Sequence, residues 1–370
     1  MQSEPIVPWC ESLLLDGQPF CLNGHEYQKA MLLENAPKQV FLKGAQIGAT
    51  SIIMLKTLHG LISGRYPQGA LYLFPSRVDV QDFSRGRLNP LLNDNEHLSR
   101  CVQDTDAQSI KRIGRSMFYL RGARATGRIG GMNRSSSHLK SIPVDRLVFD
   151  ESDEMELSMI DLARERVAHS SVKEEVFLST PTIPDYGVDR LYQESNQRVW
   201  MIKCPKCDKD TCLELEFPDC LEELPDGKVI RLCQRCKDAE IYPKGGRWVA
   251  LYPNRKDLVG WRISQLNSVF VDPAKILKAY YDPPNGNLSE VMNSKLAQAH
   301  IAAENRLTVS EVLARCGTDR MAESDPGPCI FVSDVGSLIH CVIGKRPVYY
   351  THLTLPTTIK QWRSRRGQEE

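Results

Sequence analysis

Five short apolar runs punctuate the first half of the chain, at 39–42, 70–74, 117–120, 146–149 and 175–178. Each is rich in β-branched or aromatic residues, as strands buried on both faces are. Helical stretches such as 52–61 and 157–169 lie between them. Strands separated by helices pair through crossovers, which gives a parallel sheet with helices on both faces. Open sheets of this kind bind ligands at the carboxyl ends of their strands. The residues that follow each run are therefore where chemistry is expected.

The first run leads into FLKGAQIGATS (41–51). A phosphate-binding loop reads G-x-x-x-x-G-K-[ST], with backbone amides around the phosphates, a lysine on the outer phosphates and a hydroxyl on magnesium. Setting Gly48-Ala49-Thr50 on G-K-[ST] puts alanine at the usual lysine position and Lys43 where the first glycine would stand. A lysine acts on phosphate as a point charge, so Lys43 can serve from the other end of the loop. The ATP-binding loop is then Lys43, Gly44, Ala45, Gln46, Ile47, Gly48, Ala49, Thr50 and Ser51, with Gly48 permitting close backbone approach and Thr50 offering its hydroxyl to magnesium. Taken alone, the segment is equally an ordinary strand-turn-helix.

The fourth run ends in Asp150-Glu151, two carboxylates where a magnesium ligand (Asp150) and a water-orienting base (Glu151) are needed. The plain alternative is an acidic helix start, since 150–156 carries five carboxylates that a helix dipole favours. One nucleotide site requires Lys43 and Glu151 to approach within about 15 Å, with Thr50 and Asp150 between them. Gln28, ahead of the first run, can read an adenine edge with its amide. Ser179 and Thr180 follow the fifth run, where hydroxyls can sense a terminal phosphate.

The displaced-lysine loop, the strand ending in Asp150-Glu151 and the Ser-Thr-Pro-Thr segment at 179–182 together resemble the ATPase domain of lambda-like phage terminase large subunits. The resemblance spans roughly 15–345 and takes in two C-x-x-C pairs, Gly260-Trp261 and Asp334. It implies a P-loop NTPase fold of RecA/ASCE-like type and ATP-driven packaging of double-stranded DNA. It also implies adenine contact by Gln28, phosphate contact by Lys43, magnesium on Thr50 and Asp150, catalysis by Glu151, and coupling through Ser179 and Thr180. The partners it implies are DNA, a portal protein, a terminase small subunit and further copies in a ring, in the host bacterial cytoplasm.

Lys111 to Lys140 holds eight basic residues, five glycines and no acid, although the whole chain is nearly neutral at +1. Glycine-spaced arginines suit sequence-independent contact with a phosphate backbone; Arg121, Arg124, Arg128 and Arg134 are the candidates. A solvated loop is the ordinary alternative. Cys204, Cys207, Cys233 and Cys236 give C-x2-C-x25-C-x2-C, the spacing of a closed four-thiolate zinc ribbon with a structural metal. The other eight of the twelve cysteines scatter, as thiols do in a reducing compartment. Acidic residues within the ribbon argue that it braces a junction or meets protein rather than DNA.

The segment 329–343 looks like the opening hairpin of a ribonuclease-H-like nuclease, with Asp334 as its first metal ligand. Two-metal cleavage needs later carboxylates, and none follows until Glu369. The nuclease is expected to be incomplete, and the tail from 349, whose YYTHLTLPTTIK resembles translated sequencing-adaptor DNA, to be spurious and unpacked. The expected domains are an ATPase at 1–200, a ribbon at 201–245, a linker and helical subdomain at 246–320, the nuclease start at 321–347 and the tail at 348–370. No window has the apolar length of a membrane span, and the N-terminus lacks the order of a signal peptide. Two other readings remain open here: a helicase-like translocating ATPase, and a non-catalytic DNA-binding relative, suggested by Ala49.

Overall fold

The computed structural model describes residues 4–124, 139, 142–301, 329–335 and 339–345. The first apolar run becomes β1 (Lys38–Lys43) and the second β2 (Ala70–Phe74). A meander follows, β3 (Val102–Ala107), β4 (Ile110–Ile113) and β5 (Ser116–Gly122), whose last strand holds the third run. The fourth and fifth become β6 (Arg146–Asp150) and β7 (Glu174–Ser179). Beyond them come β8 (Arg198–Lys203), β9 (Asp210–Thr211), the small hairpin β10 (Leu221–Glu223) and β11 (Val229–Arg231), then β12 (Arg247–Ala250) and β13 (Val259–Ile263).

One sheet of eleven strands runs β9-β8-β13-β1-β7-β6-β2-β5-β4-β3, with β12 also on β8. From β8 to β5 every neighbour is parallel. The edges are antiparallel, β3-β4-β5 on one side and β9 and β12 on β8 on the other. The sheet is therefore mixed rather than purely parallel, because the short turns of the 102–122 meander permit only antiparallel pairing.

Alternate side chains enter different cores, as the two-residue period of a strand requires. Phe41, Tyr72, Val148 and Leu178 point into the cluster that includes α1 (Tyr27–Leu33), α2 (Ala49–Ile62) and α3 (Arg77–Phe83). Leu42, Leu73, Phe149 and Phe177 point into the cluster around α4 (Leu157–Arg164) and α5 (Gly187–Glu194). Helices thus cover both faces, and each fully buried Leu or Phe contributes about 1.5–3 kcal/mol. The helix expected over 157–169 stops at Arg164 and continues as a 3-10 turn, Glu165–Val167.

Residue 200 is no edge of this sheet. β13, which carries Trp261, pairs along its whole length with β1, so the cysteine-bearing segment is an insertion between two sheet strands, β8 and β13. Two helices follow, α6 (Pro273–Tyr281) and α7 (Leu288–Leu296). Asp272 caps the first through Ala274 N, with Pro273 at its first position, and Asn287 caps the second through Glu290 N. As a separate unit, β14 (Cys329–Val335) and β15 (Ile339–Lys345) form an antiparallel hairpin in which Asp334 stands opposite His340. The tail expectation at 348–370 lies outside the described residues.

Candidate functional site

The carboxyl ends of β1, β7 and β6 lie side by side, with Leu42 opposite Ser179 and Leu178 opposite Asp150. Strands sit about 4.8 Å apart, so Lys43 and Glu151 start roughly 10 Å apart and need long side chains to meet. They do: Lys43 Nζ lies 2.6 Å from Glu151 Oε1. Glu151 adopts φ +56°, a left-handed conformation that few non-glycine residues hold and that turns the chain sharply as it leaves β6.

At the same end of the sheet, Thr50 Oγ1 donates to Asp150 Oδ1 at 3.2 Å and the Tyr72 hydroxyl donates to Asp150 Oδ2 at 2.9 Å. Adjacent ligands of an octahedral magnesium, each about 2.1 Å from the ion, stand about 3 Å apart. The Thr50 and Asp150 oxygens match that spacing. Burial pushes the Asp150 carboxyl up to about 6, opposed by the Lys43 ammonium and reinforced by the Glu151 charge. A cation would suit this enclosed carboxylate.

The phosphate-type loop is held from several sides. Gly48 sits at φ +78°, which strains any other residue, and a Cβ there would come 2.4 Å from Gln28 Nε2 and displace that amide. Gln28, buried on α1, donates to Ile47 O at 2.9 Å, and Tyr27 OH donates to the same carbonyl at 3.0 Å. Gly44 N donates to Ile263 O at 2.8 Å and Ala45 N to Ser294 O at 2.6 Å, while Gln265 Nε2 donates to Ala45 O at 3.1 Å. Those two amides are engaged, so a phosphate would meet the amides of the later loop residues, from Gln46 to Thr50, at the start of α2. Ala49 and Ser51 lie in the first turn of that helix.

Ser179 Oγ and Thr180 N both lie 3.2 Å from Glu151 Oε2. Asp153 was not anticipated. Its buried carboxylate accepts from Thr182 N at 3.2 Å, Thr182 Oγ1 at 3.0 Å and Val188 N at 2.7 Å, tying the segment after β7 to the turn after β6. Tyr72 was missed too; a hydroxyl in the otherwise apolar ALYLF run was the available signal. At the opposite end of the sheet Arg146, fully buried, pairs with Glu174, which also accepts from Arg65 Nη2 at 2.6 Å and the Tyr66 hydroxyl at 2.7 Å.

The sulfurs of Cys204, Cys207, Cys233 and Cys236 all lie within 4.8 Å of one another, with Cys204–Cys236 and Cys207–Cys233 at 3.8 Å. A tetrahedral zinc with bonds of about 2.3 Å has edges of about 3.8 Å, so the cluster fits that ion. Glu214, within the insert, is buried and accepts from Ser264 N, Ser264 Oγ and Asn267 Nδ2 at 3.0, 2.9 and 2.6 Å, fastening the insert to the exit of β13. Cys212 and Cys220 are buried, and burial pushes both thiols up, Cys220 to about 12.

The basic run is less free than its composition indicates. Lys111 is buried and pairs with Asp106 across the β3-β4 hairpin, an acid that lies just before the run. Arg121 Nη1 donates to Leu120 O at 3.0 Å, and its guanidinium lies over Tyr119 at 5.6 Å. Arg124 is exposed, and Arg128 and Arg134 lie outside the described residues.

Residues 24–241 match the family profile of the phage terminase large subunit gpA, ATPase domain, which is more than half of the chain. Among solved structures, the chain is similar to the large terminase ATPase domain of Thermus phage P74-26, at 12% identity over 77% of this chain and 95% of that one, with a TM-score of 0.47. It is also similar to the HK97 bacteriophage large terminase, at 16% identity over 52% and 40% of the two chains and a TM-score of 0.41. The large terminase of a thermophilic bacteriophage in complex with ADP gives 11% identity over 73% and 52%, with a TM-score of 0.41. No curated protein sequence matches the chain. No described helix is long and apolar enough to cross a membrane. The family match over the segment that holds the loop, both acidic residues and all four clustered cysteines decides the assignment: the chain belongs to the phage terminase large subunit gpA ATPase family.

Proposed function

We propose that this chain is the ATP-hydrolysing motor that drives viral double-stranded DNA into a procapsid. The observation that carries the reading is the contact of Lys43 with Glu151 at the end of the sheet where Thr50 also meets Asp150, an arrangement that suits hydrolysis of a nucleotide. Without nucleotide, Glu151 holds Lys43. With ATP present, Lys43 would turn to the outer phosphate oxygens, and Glu151, released, would orient water and accept its proton. Thr50 and Asp150 would hold magnesium, which when bound neutralises charge on the phosphates. Ser179 and Thr180 both reach Glu151 and would feel its release, which is the basis for giving them the coupling role. Gln28 would fix the loop through Ile47, with any adenine contact using the rest of its amide.

Zinc on the four cysteines would be structural, since four thiolates leave no open position. Arg121, Arg124, Arg128 and Arg134 are the candidates for DNA backbone contact, Arg121 being already partly engaged with Leu120 O and the Tyr119 ring. Asp334, in its strand, would be the first metal ligand of a nuclease. The boundaries near 200, 245, 320 and 347 stay as proposed divisions, with β13 counted in the ATPase sheet. The portal, the small subunit, a ring of copies and the host cytoplasm as the place of action are proposed, with family membership as their support. The test is ATP turnover by Lys43→Ala and Glu151→Gln, each expected to fall by about 100-fold or more. Unchanged turnover in both would remove the catalytic assignment of Lys43 and Glu151, whereas no turnover by the wild-type chain would favour a DNA-binding protein without hydrolysis.

A further inference from the structure

Two adjacent residues of α7 touch the two segments that close the nucleotide site. Ser294 O accepts from Ala45 N at 2.6 Å, and Asn293 Nδ2 donates to Thr182 O at 2.9 Å. Neighbouring positions on a helix do not face the same way. They reach different loops here because Ser294 offers a last-turn carbonyl, which has no partner within the helix, whereas Asn293 uses its side chain. The other end of the Asn293 amide is also engaged, since His300 N donates to Asn293 Oδ1 at 3.0 Å. Thr182 is held on its far side by Asp153, whose N donates to Ser179 Oγ at 3.4 Å, and Ser179 Oγ in turn donates to Glu151 Oε2, so hydrogen bonds run from Glu151 through Ser179, Asp153 and Thr182 to Asn293. Asn293 and Ser294 lie beyond the segment that matches the family profile, whereas Ala45 and Thr182 lie within it.

We infer that Asn293 is a positioning residue for hydrolysis: it fixes the segment 179–182 against the phosphate loop, so that Ser179 and Thr180 present Glu151 in its working orientation. The inference rests on the reading of this site as an ATPase. The loop itself is held by the backbone of Ser294, which a change at Asn293 leaves in place. Loss of the amide should therefore reduce turnover without weakening nucleotide binding.

Two variants separate the contacts. Asn293→Ala removes both, and Asn293→Asp keeps the acceptor for His300 N while placing an oxygen against Thr182 O. In the full chain, both should lower kcat for ATP about three- to tenfold, the range of a coupling contact. The Kd of a fluorescent ATP analogue with magnesium should stay within about twofold, and hydrogen exchange at 180–182 should quicken. Turnover equal to wild type in both variants overturns the inference. So does a loss of nucleotide affinity that parallels the loss of turnover, which would mark Asn293 as support for the whole site. If the wild-type chain hydrolyses no ATP, the proposed function fails instead, and unchanged exchange at 180–182 in both variants would then overturn the tether by itself.

Discussion

Glu151→Gln should do two opposite things to this protein: slow hydrolysis and tighten the binding of ATP. The tightening follows from the ion pair. At 2.6 Å, unit charges attract by about 1.6 kcal/mol at the dielectric constant of water and by roughly 6 kcal/mol at an effective constant of 20. The Glu151 side chain is 38% exposed and that of Lys43 only 8%, so solvent screens the acid while the ammonium is already desolvated. Partly exposed pairs of this kind are worth about 1 kcal/mol net. Nucleotide must break that pair to recruit Lys43, and removing the carboxylate removes the cost, so Kd for ATP should fall about fivefold. Loss of the base should meanwhile lower kcat by about 100- to 10,000-fold. Relief of repulsion between Glu151 and phosphate would also tighten binding, and a double-mutant cycle separates the two effects. Titration of a fluorescent ATP analogue into wild type, Glu151→Gln, Lys43→Ala and the double variant measures it. If Glu151→Gln tightens binding equally with and without Lys43, or not at all, Lys43 is not the group that Glu151 holds back.

Three further outcomes concern stability and metal. Glu174→Gln should cost about 3–5 kcal/mol in urea unfolding, because it leaves the buried Arg146 guanidinium uncompensated, with the KM for ATP unchanged. Although burial raises the Glu174 carboxyl, Arg146, Tyr66 and Arg65 pull it below the ordinary value. Its stabilisation is thus complete above the unfolded value, about 4.3, and is lost as pH falls through the lower folded one; the Gln variant should lose that dependence. Burial pulls Lys56 down to about 7 from 10.5, helped by the Arg146 charge. Between those two values the unfolded chain binds a proton that the folded one gives up, so stability should rise with pH across that window. Lys56→Met should flatten the rise measured from pH 7 to about 9, and an equal slope in both proteins would refute it. Metal analysis should find one zinc per chain, lost in Cys233→Ser together with protease resistance of 204–240; full metal content in that variant would exclude the four-cysteine site.

The five strands were legible because a strand buried on both faces must be apolar nearly throughout, and Val40, Leu73 and Phe149 carry that constraint in the sequence itself. The meeting of Lys43, Asp150 and Glu151 was legible for a related reason: each stands at or just beyond the end of a strand, so its place in space follows from its place in the chain, while Thr50 comes after the loop, in the first turn of α2. Partners brought in by strand pairing or by a distant segment were not legible. Asp106 reaches Lys111 only through the β3-β4 pairing, which made a basic run look free of acids. Glu214 looks like one more acid of an exposed acidic insert until Ser264 and Asn267 enclose it. The composition change after residue 200 could not show that the chain returns to the sheet.

That return explains why the loop has its shape. β13 lies beside β1, opposite β7, and Ile263, Gln265 and Ser294 supply three of the hydrogen bonds that fix Gly44 and Ala45. All three lie beyond 241, where the family match ends. A fragment stopping there would leave β1 an unpaired edge with its row of amides and carbonyls open to association, and Gly44 and Ala45 without their partners. A loop that keeps its lysine at the strand end needs this support more than an ordinary one. Lys43 is the last residue of β1, so its aim is set by the strand and by what grips the two residues after it. Lys43 and the returning strand are thus parts of one arrangement, in which β13 and Ser294 hold the two residues that follow the lysine.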